Sequence, residues 1–435
     1  MRFPGRRKHK HYFPIHERDP HLRHGASEPP ERAVQIVGID QTLVDIDARV
    51  SDDLLARYDL PKGGSTLVTG DAAARLYDEL LGAGLITNEF AGGTVGNTLH
   101  NYSLLADAPA TLLGVMSEVI RAGTSAYRYL SNTSSRVNLD HLQPVDGPIG
   151  RCFALITPDG ERTFAICPGK MNELRPGSIP EQVFDGAACL LLSAYLMRAA
   201  EGDPMPQAAL RAIELAKAHG VPVVLTLGTR FVIAERPEFW RTFIAEHVDV
   251  LAMNEEEAEA LTGASDPLVA CDRALELADL VLCTAGPIGL YLTGYTDEAV
   301  KRETRYPLLP GAIAEFNRYE FSRPIRRREC DRPTKVYAHI APYHGGPERI
   351  TSTNGAGDAA LAALLHDMSA NLHHRARVPN SAKHTRPFLT YSSMSQVCRY
   401  ANRVSYEVLT RASPRLTRGL PEREDGLDDE KYWAL

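Results

Sequence analysis

Four short apolar runs, Cys189 to Leu192, Val223 to Leu227, Val248 to Ala252 and Leu280 to Cys283, are separated by stretches of helical character such as Pro206 to His219 and Glu255 to Thr262. Runs that are apolar without alternation suit strands buried on both faces, and strands alternating with helices make βαβ units. The pattern predicts an α/β domain: a doubly wound, mostly parallel sheet flanked by helices. Ala33 to Val37 and Thr111 to Val115 read as further strands. Cys152 to Ile156 and Thr163 to Ile166 flank Pro158-Asp159-Gly160, which is turn chemistry, so a hairpin is expected there. Two regions resist assignment, about 295–350, rich in Arg and Pro, and about 371–386. A long stretch without elements in a compact domain is expected to be a functional loop or an oligomer contact, and a homo-oligomer is one reading.

Charge and composition exclude several classes. The net charge of −7 gives no bulk attraction to nucleic acid or to anionic membranes. No apolar run approaches the roughly 20 residues of a membrane helix, and the charged start is followed by no apolar signal segment. The seven cysteines are odd in number and contain no Cys-x-x-Cys, which predicts reduced thiols in a cytoplasmic protein and no zinc site. Residues 1–32 form a separate zone that opens with Arg2, Arg6, Arg7, Lys8, His9, Lys10 and His11. A solvated basic arm is the plain expectation; contact with a partner subunit or with phosphate is the alternative.

Chemistry concentrates in a few glycine-rich turns. Thr353-Asn354-Gly355-Ala356-Gly357-Asp358 leads directly into the apolar run Ala359 to Leu365. Bare backbone N–H groups at a helix start can converge on an anion, as a phosphate in transfer requires. A carboxylate at that place would repel a resting anion but could accept the proton of an attacking hydroxyl. A glycine turn with Asp358 as a helix cap is the plainer reading. Gly92-Gly93-Thr94-Val95-Gly96-Asn97 opens a second helix; its glycines allow close approach of a ligand, and Asn97 offers a donor and an acceptor to a sugar hydroxyl. Neither loop is a Walker A or a dinucleotide fingerprint. Asn254-Glu255-Glu256-Glu257 follows a strand. It either favours a helix dipole or lets Asn254 and Glu257 hold hydrated Mg²⁺. Cys283-Thr284-Ala285-Gly286 runs from a strand into a turn that could line a nucleotide. Asp45 after the first strand and Arg162 after the hairpin turn gain interest only from their place in this order.

The order resembles the ribokinase-like (PfkB) family of carbohydrate and nucleoside kinases. In that family an N-terminal Asp for the sugar diol precedes a Gly-Gly…Asn loop, a lid hairpin, an Asn-x-x-Glu motif, a Thr-x-Gly turn and Gly-Ala-Gly-Asp. The resemblance extends to Val37 to Asp45, His100-Asn101-Tyr102-Ser103, Val145 to Phe153, Leu308 to Asn317 and Ser413 to Glu424. It implies a ribokinase-like domain over 33–435 with a small β-sheet lid from about 40–52 and 125–172, and an insertion at about 295–350. It implies a kinase moving the γ-phosphate of ATP, with Mg²⁺, onto the 5′-hydroxyl of inosine or guanosine. An adenosine or sugar kinase of the same family, or a non-catalytic nucleoside sensor, are the alternatives. By the same resemblance Asp358 is the base, Gly355, Ala356 and Gly357 form the anion hole, and Arg162 lies near the transferred phosphate. Asp45, Gly92, Gly93 and Asn97 take the ribose; Thr284, Gly286 and Asn354 take ATP; Asn254 and Glu257 take Mg²⁺ through water. One departure stands out: Ser352-Thr353 occupies a place where the family often has Asp-Thr, which bears on activation by K⁺.

Overall fold

A computed structural model of the chain describes residues 33–106, 108–198, 202–304, 311–343 and 350–420. The basic arm over 1–32 therefore lies outside the described residues. The expected strands and helices are present within a residue or two of their sequence signals, including Met205–Ala218 and Glu255–Thr262.

The large sheet runs Pro333–Ile340, Gly289–Asp297, Leu280–Ala285, Val250–Asn254, Val223–Thr226, Ala187–Ser193, Gln35–Ile39, Ala110–Met116, Val137–Asn138, with Leu142–Pro144 also on Ala110–Met116. Every pairing is parallel except the two that join Gly289–Asp297 to its neighbours. The central strands are fully buried because helices cover both faces. Thr94–Ala106, Ala356–Arg377 and Met394–Leu409 form one layer, and Met205–Ala218, Pro237–His247, Glu255–Thr262 and Pro267–Ala274 the other. The chain leaves Gln35–Ile39 in one direction across the sheet and returns to build the other side from Ala187–Ser193. Such a reversal opens a crevice at the carboxyl ends of the strands.

A second sheet, ordered Ser65–Leu67, Arg162–Cys167, Gly150–Ile156, Leu43–Arg49, Ile86–Ala91, stands at that end. The expected hairpin is its middle, and Leu43–Arg49 lies parallel to Gly150–Ile156. Ser65–Leu67 and Ile86–Ala91, outside the stretches read from sequence as lid, complete it. The region about 295–350 is not structureless. Gly289–Asp297 continues into it, and Pro333–Ile340 adds an edge strand in eight-residue antiparallel register. Its sequence resisted reading because an edge strand beginning with Pro and carrying Lys335 and His339 lacks an apolar run. Of the second unread region, residues 371–377 are the end of Ala356–Arg377. The seven cysteines are free thiols, and no described helix is long and apolar enough to cross a membrane.

Candidate active site

Two helices packed side by side aim their N-termini at one place. Gly355 is the cap of Ala356–Arg377, at φ +77°, and a Cβ there would collide with Pro414. Both the left-handed backbone and the close neighbour require glycine. Asp358 follows in the first turn, half-buried. Asn97 stands in the first turn of Thr94–Ala106, almost fully buried, and its Nδ2 donates to Asp358 Oδ2 at 3.2 Å. Residues 261 apart in sequence thus form one hydrogen-bonded pair, joining the two glycine loops.

The Gly92-Gly93 loop sits on carboxylates. A Cβ on Gly92 would lie 2.5 Å from Asp45 Oδ2, and one on Gly93, at φ +89°, would strike Asp40. Asp40 ends the first strand and accepts from Gly96 N at 2.6 Å and Gln41 N at 2.9 Å. Burial pushes Asp40, Asp45 and Asp358 each up to about 7; mutual repulsion with Asp358 adds to it at Asp40, and Asp47 with Asp358 at Asp45. Arg415 opposes the shift in all three. Carboxylates titrating near neutrality in a crevice are the mark of groups that can both hold and release protons.

The small sheet reaches the same loop. Arg162, at the start of Arg162–Cys167, donates from Nη2 to Ser352 Oγ at 3.4 Å, and the same Oγ accepts from Asn354 N at 3.2 Å. Ser352 therefore has a defined place, though it brings no negative charge. On the other side, a Cβ on Gly357 would lie 3.9 Å from Thr284 Oγ1, so the turn after Leu280–Ala285 faces the glycine loop. Thr284 is paired in register with Asn254 at the end of the adjacent strand. Gly286, at φ +44°, lies over Glu255.

Asn254 and Glu257 hold each other. Asn254 Oδ1 accepts from Glu257 N at 2.8 Å, and Glu257 Oε2 accepts from Asn254 N at 2.9 Å, a complete capping box for Glu255–Thr262. Glu257 Oε1 accepts from Asn254 Nδ2 at 3.1 Å. Burial raises Glu257 to about 7. Both carboxylate oxygens of Glu257 are thus engaged with Asn254. Among the described residues no group of three or more His, Cys, Asp or Glu could hold a metal.

The geometry also adds residues that the sequence reading left out. Asp40 appeared there only as one letter of a strand, and its signal is an Asp ending an apolar run. Arg415 lies 57 residues beyond Asp358, inside the Ser413 to Glu424 stretch that carries the resemblance, with no role assigned to it there. It is buried, and its guanidinium donates to Asn97, Gly92, Asn132 and Thr133.

Comparison with known proteins identifies the family. The model of the pfkB family carbohydrate kinases matches residues 68–307. Guanosine-inosine kinase of Escherichia coli (strain K12) is 63% identical over 433 residues, covering 100% of both chains, and its counterpart from Escherichia coli O157:H7 is equally similar. Adenosine kinase from Sinorhizobium meliloti shares the fold with a TM-score of 0.63 at 20% identity, over 89% of this chain and 98% of its own. A probable sugar kinase from Rhizobium etli CFN 42 does so with a TM-score of 0.64 at 18% identity, over 89% and 96%.

Proposed function

The chain belongs to the pfkB family of carbohydrate kinases, and from that premise we propose how its residues divide the work of a nucleoside kinase. It transfers the γ-phosphate of ATP to the 5′-hydroxyl of inosine or guanosine, giving IMP or GMP and ADP, a reaction of purine salvage. Full-length identity of 63% to guanosine-inosine kinase supports this acceptor.

The observation that carries the site reading is the Asn97–Asp358 hydrogen bond, which brings the Gly92-Gly93 loop and the Gly355-Ala356-Gly357 loop to one point. The ribose lies between Asp45 and Asn97 over Gly92 and Gly93, its hydroxyls donating to the carboxylate. ATP lies along the side of Thr284, Gly286 and Asn354, with its γ-phosphate at the N-terminus of Ala356–Arg377. Asp358 accepts the 5′-hydroxyl proton as the oxygen attacks phosphorus. Burial supports that role, since a carboxylate at about 7 is a far better proton acceptor than one at its ordinary value. Backbone N–H groups of Gly355, Ala356 and Gly357, with Arg162 from the small sheet, neutralise charge as it moves to the leaving oxygen. Mg²⁺ supplies further neutralisation when bound with the nucleotide, and Asn254 and Glu257 would hold its water shell. Potassium is left as a separate test. Ser352 offers no carboxylate, so replacing K⁺ by tetramethylammonium should leave turnover within about twofold.

Asp358→Asn tests the assignment. Gly355, not Asp358, caps the helix, and Asn keeps the size and polarity of Asp, so a merely structural role for Asp358 predicts a folded, active variant. A base predicts unchanged melting, unchanged ATP and inosine affinity, and kcat lower by roughly 10²–10⁴-fold. Near-parental kcat would remove Asp358 from the chemistry.

A further inference from the structure

We propose that Arg415 is a positioning residue for phosphoryl transfer: it clamps the Asn97 amide and the Gly92 carbonyl together and so turns Asn97 into a fixed donor to Asp358. The inference rests on Asp358 as the base. An Asn side chain has two ends of nearly equal shape, one that accepts and one that donates. Arginine only donates. Its Nε reaches Asn97 Oδ1 at 2.9 Å, so the oxygen must face Arg415 and the NH₂ is left for Asp358. Its Nη2 reaches Gly92 O at 3.3 Å, while Nη1 reaches Asn132 O at 3.1 Å and Thr133 Oγ1 at 2.9 Å. The guanidinium also lies 5.7 Å from the centre of the Tyr129 ring. One buried fork thereby spans the ribose-side loop, the acceptor amide and the loop after Ser125–Ser131.

The segment that delivers it is fastened on both sides of the arginine. Asn101, fully buried, donates to Pro414 O at 3.0 Å and accepts from Leu416 N at 2.8 Å; His100 Nε2 lies 2.8 Å from Leu416 O. Pro414 also packs on Gly355. The chain beyond Met394–Leu409 thus touches both helix starts that make the site. Charge points the same way. The Asn97 hydrogen bond and the charge of Arg415 both favour ionised Asp358 against its burial.

A residue that merely pins the C-terminal segment would affect melting but not the course of the reaction. Arg415→Lys keeps the charge and loses the fork, since one ammonium nitrogen cannot reach the separate acceptors that Nε, Nη1 and Nη2 now meet. It should melt like the parent, lower kcat by about tenfold or more with little change in KM for ATP, and leave the acid limb of kcat/KM in place. Arg415→Ala should also move that limb up by at least about half a pH unit, because the ion favouring ionised Asp358 is gone. Guanidinium ion should partly restore its turnover, and urea, neutral and of similar shape, should not. Parental kcat in Arg415→Lys, or its unfolding, would overturn the proposal. So would an unmoved acid limb in a folded Arg415→Ala; if that variant does not fold, Arg415→Lys decides alone. Asp358→Asn run in parallel separates failures: loss of its kcat keeps the base reading whatever Arg415 does.

Discussion

At the scale of single residues, the site is a balance between three carboxylates, one buried and two half-buried, and one buried arginine. Asp358 must be ionised to take a proton, and burial places its titration at about 7. A raised value means the competent form is lost as pH falls. The log of kcat/KM should therefore decline below about pH 7, and a profile flat down to pH 5 would contradict the base assignment. Asp45 plays a different part. On the proposed ribose contact, hydrogen bonds to its carboxylate form in the ground state, so Asp45→Ala should weaken inosine binding by about 1.5–3 kcal/mol while kcat changes less. Isothermal titration with inosine and with 2′,3′-dideoxyinosine checks this: parental protein binding both equally well would remove the ribose from Asp45. Of these residues Asp358 and Asn97 were singled out by their glycine loops, and Asp45 only by its place in the order that resembles the family. Asp40 and Arg415 were not, because nothing adjacent in sequence reports what they touch.

At the scale of elements, helix starts do most of the positioning. Ala356–Arg377 begins where Gly355 turns left-handed against Pro414, and Glu255–Thr262 begins with a closed capping box. The second case carries two readings of the same residues. Glu257→Gln separates them, because glutamine can still accept from Asn254 N and complete the box. Its melting temperature should stay near the parent. If Glu257 also holds the water shell of Mg²⁺, loss of its charge should raise the Mg²⁺ concentration needed for half-maximal turnover. An unchanged Mg²⁺ titration would leave Asn254 and Glu257 as a cap alone. Asn-x-x-Glu at a strand end was readable in sequence as either, and local pattern has no means to choose between two uses of one carboxylate.

At the scale of the whole molecule, the buried acids tie stability to pH. Asp40, Asp45, Asp358 and Glu257 are all raised to about 7 by burial, so the folded chain keeps protons that the unfolded chain releases above about 4 to 4.5. Stability therefore falls as pH rises through that window. His100 and His384, pushed down to about 4 by burial, act with the opposite sign, but their effect is complete once the unfolded histidines lose their protons near 6.5. The ligand-free protein should thus lose melting temperature from about pH 5 to 7 and level off above about pH 8. Scanning calorimetry across that range checks it, and a rising melting temperature would contradict it. By itself the sequence determined the α/β class, the core strands, the hairpin and the glycine loops. Those signals are local: apolar period, turn chemistry and small residues at helix starts act within a few residues. Only the tertiary structure decided that Pro333–Ile340 joins the main sheet, that Asn97 meets Asp358, and that Arg415 lies among the carboxylates. Those contacts join positions tens to hundreds of residues apart, and a partner that far along the chain leaves no period or spacing for a sequence to display.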